Sequence, residues 1–128
     1  LRFGSENIKA AFLLVKFLED ANWGGMRHFD AHAYRTEDYD GVWEFARGCM
    51  RTYNILKERA HAFDADPEVK ELTAEIVDAT IDPLLKDYSP QKVDALRSLS
   101  IDPDAIGAVG MQWERLDQIL IEHLLGAR

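Results

Sequence analysis

The chain has 128 residues and a formal net charge of −8, with 30% charged and 47% hydrophobic side chains. That length suits one domain with a modest core. The acidic balance argues against a nucleic-acid partner, because phosphate binding needs a basic stripe and none is visible. No apolar run approaches the ~20 residues that span a bilayer, so nothing in the pattern suggests a membrane. Cys49 is the only cysteine, which leaves no disulfide framework and no thiolate metal site. A lone thiol in an apolar helix stripe fits a reducing, cytoplasmic setting and reads as core. The sequence opens Leu1-Arg2-Phe3-Gly4 without an initiator methionine, as the middle of a longer protein would.

Asn7 or Ser5 can cap a first helix running to about Asn22, where Gly24-Gly25 ends the helical pattern. Ile8, Ala10, Ala11, Phe12, Leu13, Leu14, Val15, Phe17 and Leu18 make it apolar nearly all round. Such a helix is expected to be buried on more than one side. The first third of the chain holds too little other apolar surface to cover it, so its partner is another subunit or further chain.

Next comes a change of period. Arg27, Phe29 and Ala31 alternate with His28, Asp30 and His32, which predicts a short strand around residues 27–30. Residues at every second position share a face, so His28, Asp30 and His32 fall together. A carboxylate at the end of a strand, before a loop and a helix, sits where α/β enzymes keep their chemistry. A long helix follows, from Asp38 as cap to about Asp64. Val42, Ala46, Cys49, Tyr53, Leu56, Ala60 and Phe63 form its packing seam, widened by Trp43, Phe45 and Met50.

The remainder is punctuated by Asp66-Pro67, Asp82-Pro83, Ser89-Pro90 and Asp102-Pro103. In each pair the first residue can cap free amides, while proline at the first helical position sacrifices no bond. The pairs predict helices or helical turns near 67–79, 83–87, 90–99 and 103–108. Gly110 then precedes a last helix over about 111–125. Trp113, Leu116, Ile119, Leu120 and Leu124 form its apolar face, and Gly126 stops it. Short helices without a core of their own usually wrap something else.

The His28-x-Asp30-x-His32 array invites a zinc or iron reading, since imidazole and carboxylate suit those metals. A further protein ligand is needed, and His61 and His123 lie on helices with ordinary explanations. The pattern favours Asp30 as one of several carboxylates around a hard divalent cation, the others lying outside the chain. Glu37, Asp38 and Asp40 form a second acidic group. First-turn acids complement a helix dipole and cap its amides, which is the simpler reading. Arg35 can pair with these acids or with Asp30. No phosphate loop, Ser-His-Asp order or nucleophilic cysteine context can be assembled.

The stretches RHFD, RTEDYDGVW and ARGCMRTYNILKERA, within residues 26–60, resemble the C-terminal part of the D-xylose (glucose) isomerases. The opening LRFG, AFDADPEVKEL and the ending RLDQILIEHLLGAR resemble the same family in the same order. RHFD with RTED carries the most specific likeness; residues 81–100 carry the least.

The resemblance implies a mainly α segment with one short strand, the C-terminal part of a (β/α)8 TIM barrel plus a helical extension. Residues 1–65 are then the last βα units of the barrel: an outer helix, the eighth strand and a long helix. Residues 66–128 are the extension that embraces a neighbouring subunit of a homotetramer. The family's strand-eight aspartate binds one of two divalent metals, Mg2+, Mn2+ or Co2+, and this role carries over to Asp30 alone. The metals assist a hydride shift between C1 and C2 of an open-chain aldose or ketose.

No catalytic residue of the family falls in this segment, so the chain alone is expected to be inactive. An Asp-x-Asp ligand pair is expected just before Leu1. Ala31-His32-Ala33 departs from the family's more usual aromatic-Lys-Pro, which leaves the loop after the ligand unspecified. A second reading, from a different class, is a free-standing helical interaction module that associates through the apolar faces of its first and long helices.

Overall fold

In a computed structural model, residues 1–30, 32–78, 89–100 and 102–128 are described. Among these residues five helices run in chain order: α1 (Ile8–Asp20), α2 (Tyr39–Ala65), α3 (Pro67–Asp78), α4 (Pro90–Arg97) and α5 (Pro103–Leu125). Among the described residues there is no β-strand. The helix expected near 83–87 lies outside them.

The helix starts follow the capping chemistry. Asn7 Oδ1 accepts from the Ala10 amide at 2.9 Å, and Asp38 Oδ1 from the Gly41 amide at 2.8 Å. Asp66, Ser89 and Asp102 each accept a backbone amide at the Pro-led starts of α3, α4 and α5.

Two helix ends differ from expectation. α1 stops before Gly24-Gly25, because Asn22 takes the left-handed conformation (φ 48°). The Asn22 amide donates to Glu19 O and that of Trp23 to Leu18 O, which is a Schellman closure made with asparagine. Gly110 does not divide the last helix. Gly107 and Gly110 both keep helical backbone, and α5 is one helix of 23 residues. An interior glycine costs a helix only ~1 kcal/mol, which a long helix tolerates. Gly126 (φ 74°) ends α5 with the same closure, Gly126 to His123 O and Ala127 to Glu122 O.

The chain divides into two compact units, Leu1–Asp64 with Ile121–Arg128, and Ala65–Leu120. The first buries Ala11, Phe12 and Val15 of α1 with Cys49, Leu56, Ala60 and Phe63 of α2. Phe12 meets Phe63 edge-on at 5.8 Å, and Phe63 meets the His123 ring at 5.6 Å. The predicted α2 seam is thus buried along its C-terminal half, whereas Val42 at its other end is exposed.

α1 is covered on one stripe only: Leu13, Leu14 and Phe17 remain exposed, Phe17 by 70%. The second unit buries Val69, Ile76, Ile119 and Leu120. Glu68 pairs with Arg115 at 2.6 Å there, and Gln112 donates to Glu75.

Candidate functional site

The stretch between α1 and α2 carries no regular secondary structure around residues 26–30, where the sequence predicts a strand. A strand exists only when a neighbouring backbone completes its hydrogen bonds, and no described segment offers one. The side-chain alternation survives without the ladder. Arg27, Phe29 and Ala33 are half-buried, while His28, Asp30, His32 and Tyr34 are exposed.

What holds the inner side is a set of side chains from three places in the sequence. The Phe29 ring lies 5.3 Å from Phe3 and 6.3 Å from Tyr53 of α2, and Phe3 and Tyr53 lie 6.4 Å apart. Arg27 Nε donates to the Tyr53 hydroxyl at 2.9 Å, and that hydroxyl donates to Glu19 Oε1 of α1 at 2.7 Å. Arg27 Nη2 reaches the same carboxylate oxygen at 3.4 Å, while Lys57 Nζ meets Glu19 Oε2 at 2.7 Å. Arg27 also donates to the Gly25 carbonyl.

Glu19 is 12% exposed and accepts from all three partners. The bonds from Lys57 and then Tyr53 pull its pKa down to about 2, against an opposing contribution from burial. Sequence spacing does not reveal this network: Glu19 and Tyr53 are 34 residues apart, and neither breaks its helix pattern. The one hint was Arg27 on the inner side of the alternation, a cation that needs a partner when half-buried.

Asp30, His28 and His32, together with Arg27, Phe29 and Tyr53, border a broad hollow of about 1260 Å3. His32 Nδ1 lies 2.8 Å from the Ala33 carbonyl oxygen. Among the described residues, no hydrogen bond or ion pair engages the Asp30 carboxylate, and no three His, Cys, Asp or Glu side chains gather as metal ligands. An exposed, unengaged carboxylate suits a hard cation as a single oxygen donor. It does not make a site by itself, and His28 and His32 do not complete one for zinc.

The other candidates have structural work. Asp38 caps α2, Asp40 lies in its first turn, and the Glu37 amide closes a turn on Tyr34 O. Cys49 is 1% exposed and accepts from the Phe3 amide at 3.4 Å. A smaller cleft of about 480 Å3 lies beside it, lined by Phe29, Phe45, Met50 and Tyr53 among others. His61 is exposed and His123 buried. No described helix is long and apolar enough to cross a membrane.

No protein-family model matches the chain. Individual relatives do. The chain is 58% identical over 130 aligned residues to a xylose isomerase of Thermus caldophilus, and 58% identical to that of Thermus thermophilus. It is 48% identical over 136 residues to a xylose isomerase of Streptomyces lividans. Each alignment takes in 100% of this chain but only 33–34% of the relative. The chain therefore spans about a third of the length of the proteins it matches. Over all of that span, it is similar to these xylose isomerases.

Proposed function

We propose that this chain is the C-terminal third of a xylose isomerase and that its contribution to the site is one metal-ligating carboxylate, Asp30. The observation that carries the reading is an identity of 48–58% in alignments that cover the whole chain and so take in the stretch ending on Asp30. The exposure of that carboxylate on an open hollow supports it. So does the uncovered face of α1, which suits a helix packed against further chain.

In this reading, residues 1–65 belong to the closing βα units of a (β/α)8 barrel, and 26–30 becomes a strand once neighbours flank it. Residues 66–128 form an extension that contacts other subunits of a homotetramer. The bound divalent cations, Mg2+, Mn2+ or Co2+, supply Lewis-acid polarisation of the sugar oxygens for an aldose–ketose hydride shift. Asp30 offers a hard anionic oxygen to one cation and fixes its position from the strand end. Arg27 and Phe29, on the opposite side, tie the same stretch to α1 and α2. No other residue of this chain takes part in the chemistry. The protein works in the cytoplasm, without nucleic acid or membrane.

The test is a conversion assay of D-xylose to D-xylulose with added Mg2+. The full-length protein carrying this chain turns over and loses activity on chelation, whereas the 128-residue chain alone is inactive. Turnover by the chain alone, or metal-independent turnover by the full-length protein, contradicts the reading.

A further inference from the structure

Among the described residues no hydrogen bond or ion pair holds the Asp30 carboxylate, so its position depends on the residues just before it. Two of these reach inward. Phe29 is held between Phe3 and Tyr53, and Arg27 is held by the Tyr53 hydroxyl and the Glu19 carboxylate. Glu19 lies in the last turn of α1, and Tyr53 lies midway along α2. The two helices are thereby joined to each other, and to the stretch ending on Asp30, through one carboxylate and one hydroxyl.

Side chains alternate along an extended stretch, so pinning 27 and 29 on one side fixes the direction in which 28 and 30 project. A slip by one residue turns Asp30 inward. The aromatic contacts alone tolerate sliding, because apolar contacts are not directional. The Arg27–Tyr53–Glu19 bonds are directional and involve charge, which makes them the register-setting element.

We infer that Glu19, Tyr53 and Arg27 are positioning residues for the Asp30 carboxylate, linking the α1–α2 pair to the metal ligand. This rests on the reading of Asp30 as a ligand. None of the three touches the metal. Their effect travels through residues 28–30, and outer partners that orient a ligand commonly alter metal affinity by about tenfold or more.

The experiment is a Co2+ titration of the metal-free full-length protein, followed by the visible absorption of the bound ion, with a thermal melt of each metal-free variant. Asp30→Asn tests the ligand itself and is expected to abolish absorption from its site. Tyr53→Phe keeps the ring contacts and removes only the hydroxyl. It is expected to weaken Co2+ binding about tenfold, as is Arg27→Met, with Arg27→Lys recovering part of the loss. Lys16→Met is the structural control: it removes the pairs to Asp20 and Asp64 in the same unit without touching residues 26–30. It is expected to lower the melting temperature and leave Co2+ affinity unchanged.

If Asp30→Asn abolishes binding but Tyr53→Phe and Arg27→Met match Lys16→Met in affinity, the positioning inference is wrong and the ligand reading stands. If Asp30→Asn binds Co2+ unchanged, the ligand reading is wrong and the inference falls with it. Should Tyr53→Phe not fold, the contrast between Arg27→Met and Arg27→Lys decides the matter: equal affinities overturn the inference.

Discussion

The two units of the molecule are built from different materials. In Leu1–Asp64 with Ile121–Arg128, aromatic rings from α1, α2 and the end of α5 meet in a continuous buried set, and a mostly buried carboxylate is satisfied by three donors. In Ala65–Leu120, the buried side chains among the described residues are four aliphatics, and the polar pairs Glu68–Arg115 and Glu75–Gln112 are exposed. Apolar area scales with stabilisation, so the first unit carries more of its own support. The candidate ligand, Asp30, belongs to the first unit.

Four substitutions and one pH scan probe that contrast. Phe12→Ala should have the largest effect. Phe12 is fully buried against Phe63, and truncating such a ring costs about 3–5 kcal/mol, read from urea denaturation. A loss below about 1 kcal/mol would mean that the aromatic set is not the support it is taken to be.

Phe17→Asp tests the uncovered face of α1. The isolated chain is expected to self-associate through Leu13, Leu14 and Phe17, and this change should weaken association by about 10- to 100-fold in sedimentation runs. A well-folded chain that stays monomeric at high concentration would contradict that expectation. Tyr53→Phe should cost the chain about 1–2 kcal/mol, since the lost hydroxyl leaves both Arg27 and Glu19 a partner short. Arg115→Ala, in the second unit, breaks an exposed pair and should cost less than about 1 kcal/mol. If Arg115→Ala proves the costlier of these two, the ranking of the units is reversed.

The pH dependence considered is that of Glu19. Its folded pKa, about 2, lies below the ordinary 4.5, so the folded state prefers the ionised form. The stability it contributes is present above 4.5 and is lost as pH falls through that range toward 2. Glu19→Gln should flatten this window of the acid-unfolding curve. An unchanged slope between pH 4.5 and 2 would show that another carboxylate governs it.

Local rules made much of this legible in the sequence. The Asn7 and Asp38 caps, the Pro-led starts at 67, 90 and 103, and the Gly126 stop all depend on residues within one helical turn of the boundary. The inward–outward alternation of residues 27–30 was likewise readable, because it needs only period two. Where the reading failed, a non-local balance decided. The strand around 27–30 needs a partner backbone that none of the described residues supplies. Gly110 does not break α5, since an interior glycine weakens a helix by only ~1 kcal/mol.

Asn22 ended α1 because its side chain tolerates the left-handed region, a signal overshadowed by the adjacent Gly24-Gly25. At the site, Asp30 could be picked out by its motif, but the Glu19–Tyr53–Arg27 bonds could not. They join positions 19, 27 and 53, and nothing in the spacing of those residues announces that they meet.

The proposed role of Asp30 is that of a ligand to a divalent cation. The most direct test is anomalous scattering from crystals of the full-length protein grown with Mn2+. The account predicts an anomalous peak about 2.0–2.6 Å from an Asp30 carboxylate oxygen, with its remaining ligands supplied from outside these 128 residues. Bound Mn2+ with no peak within reach of Asp30 would contradict it.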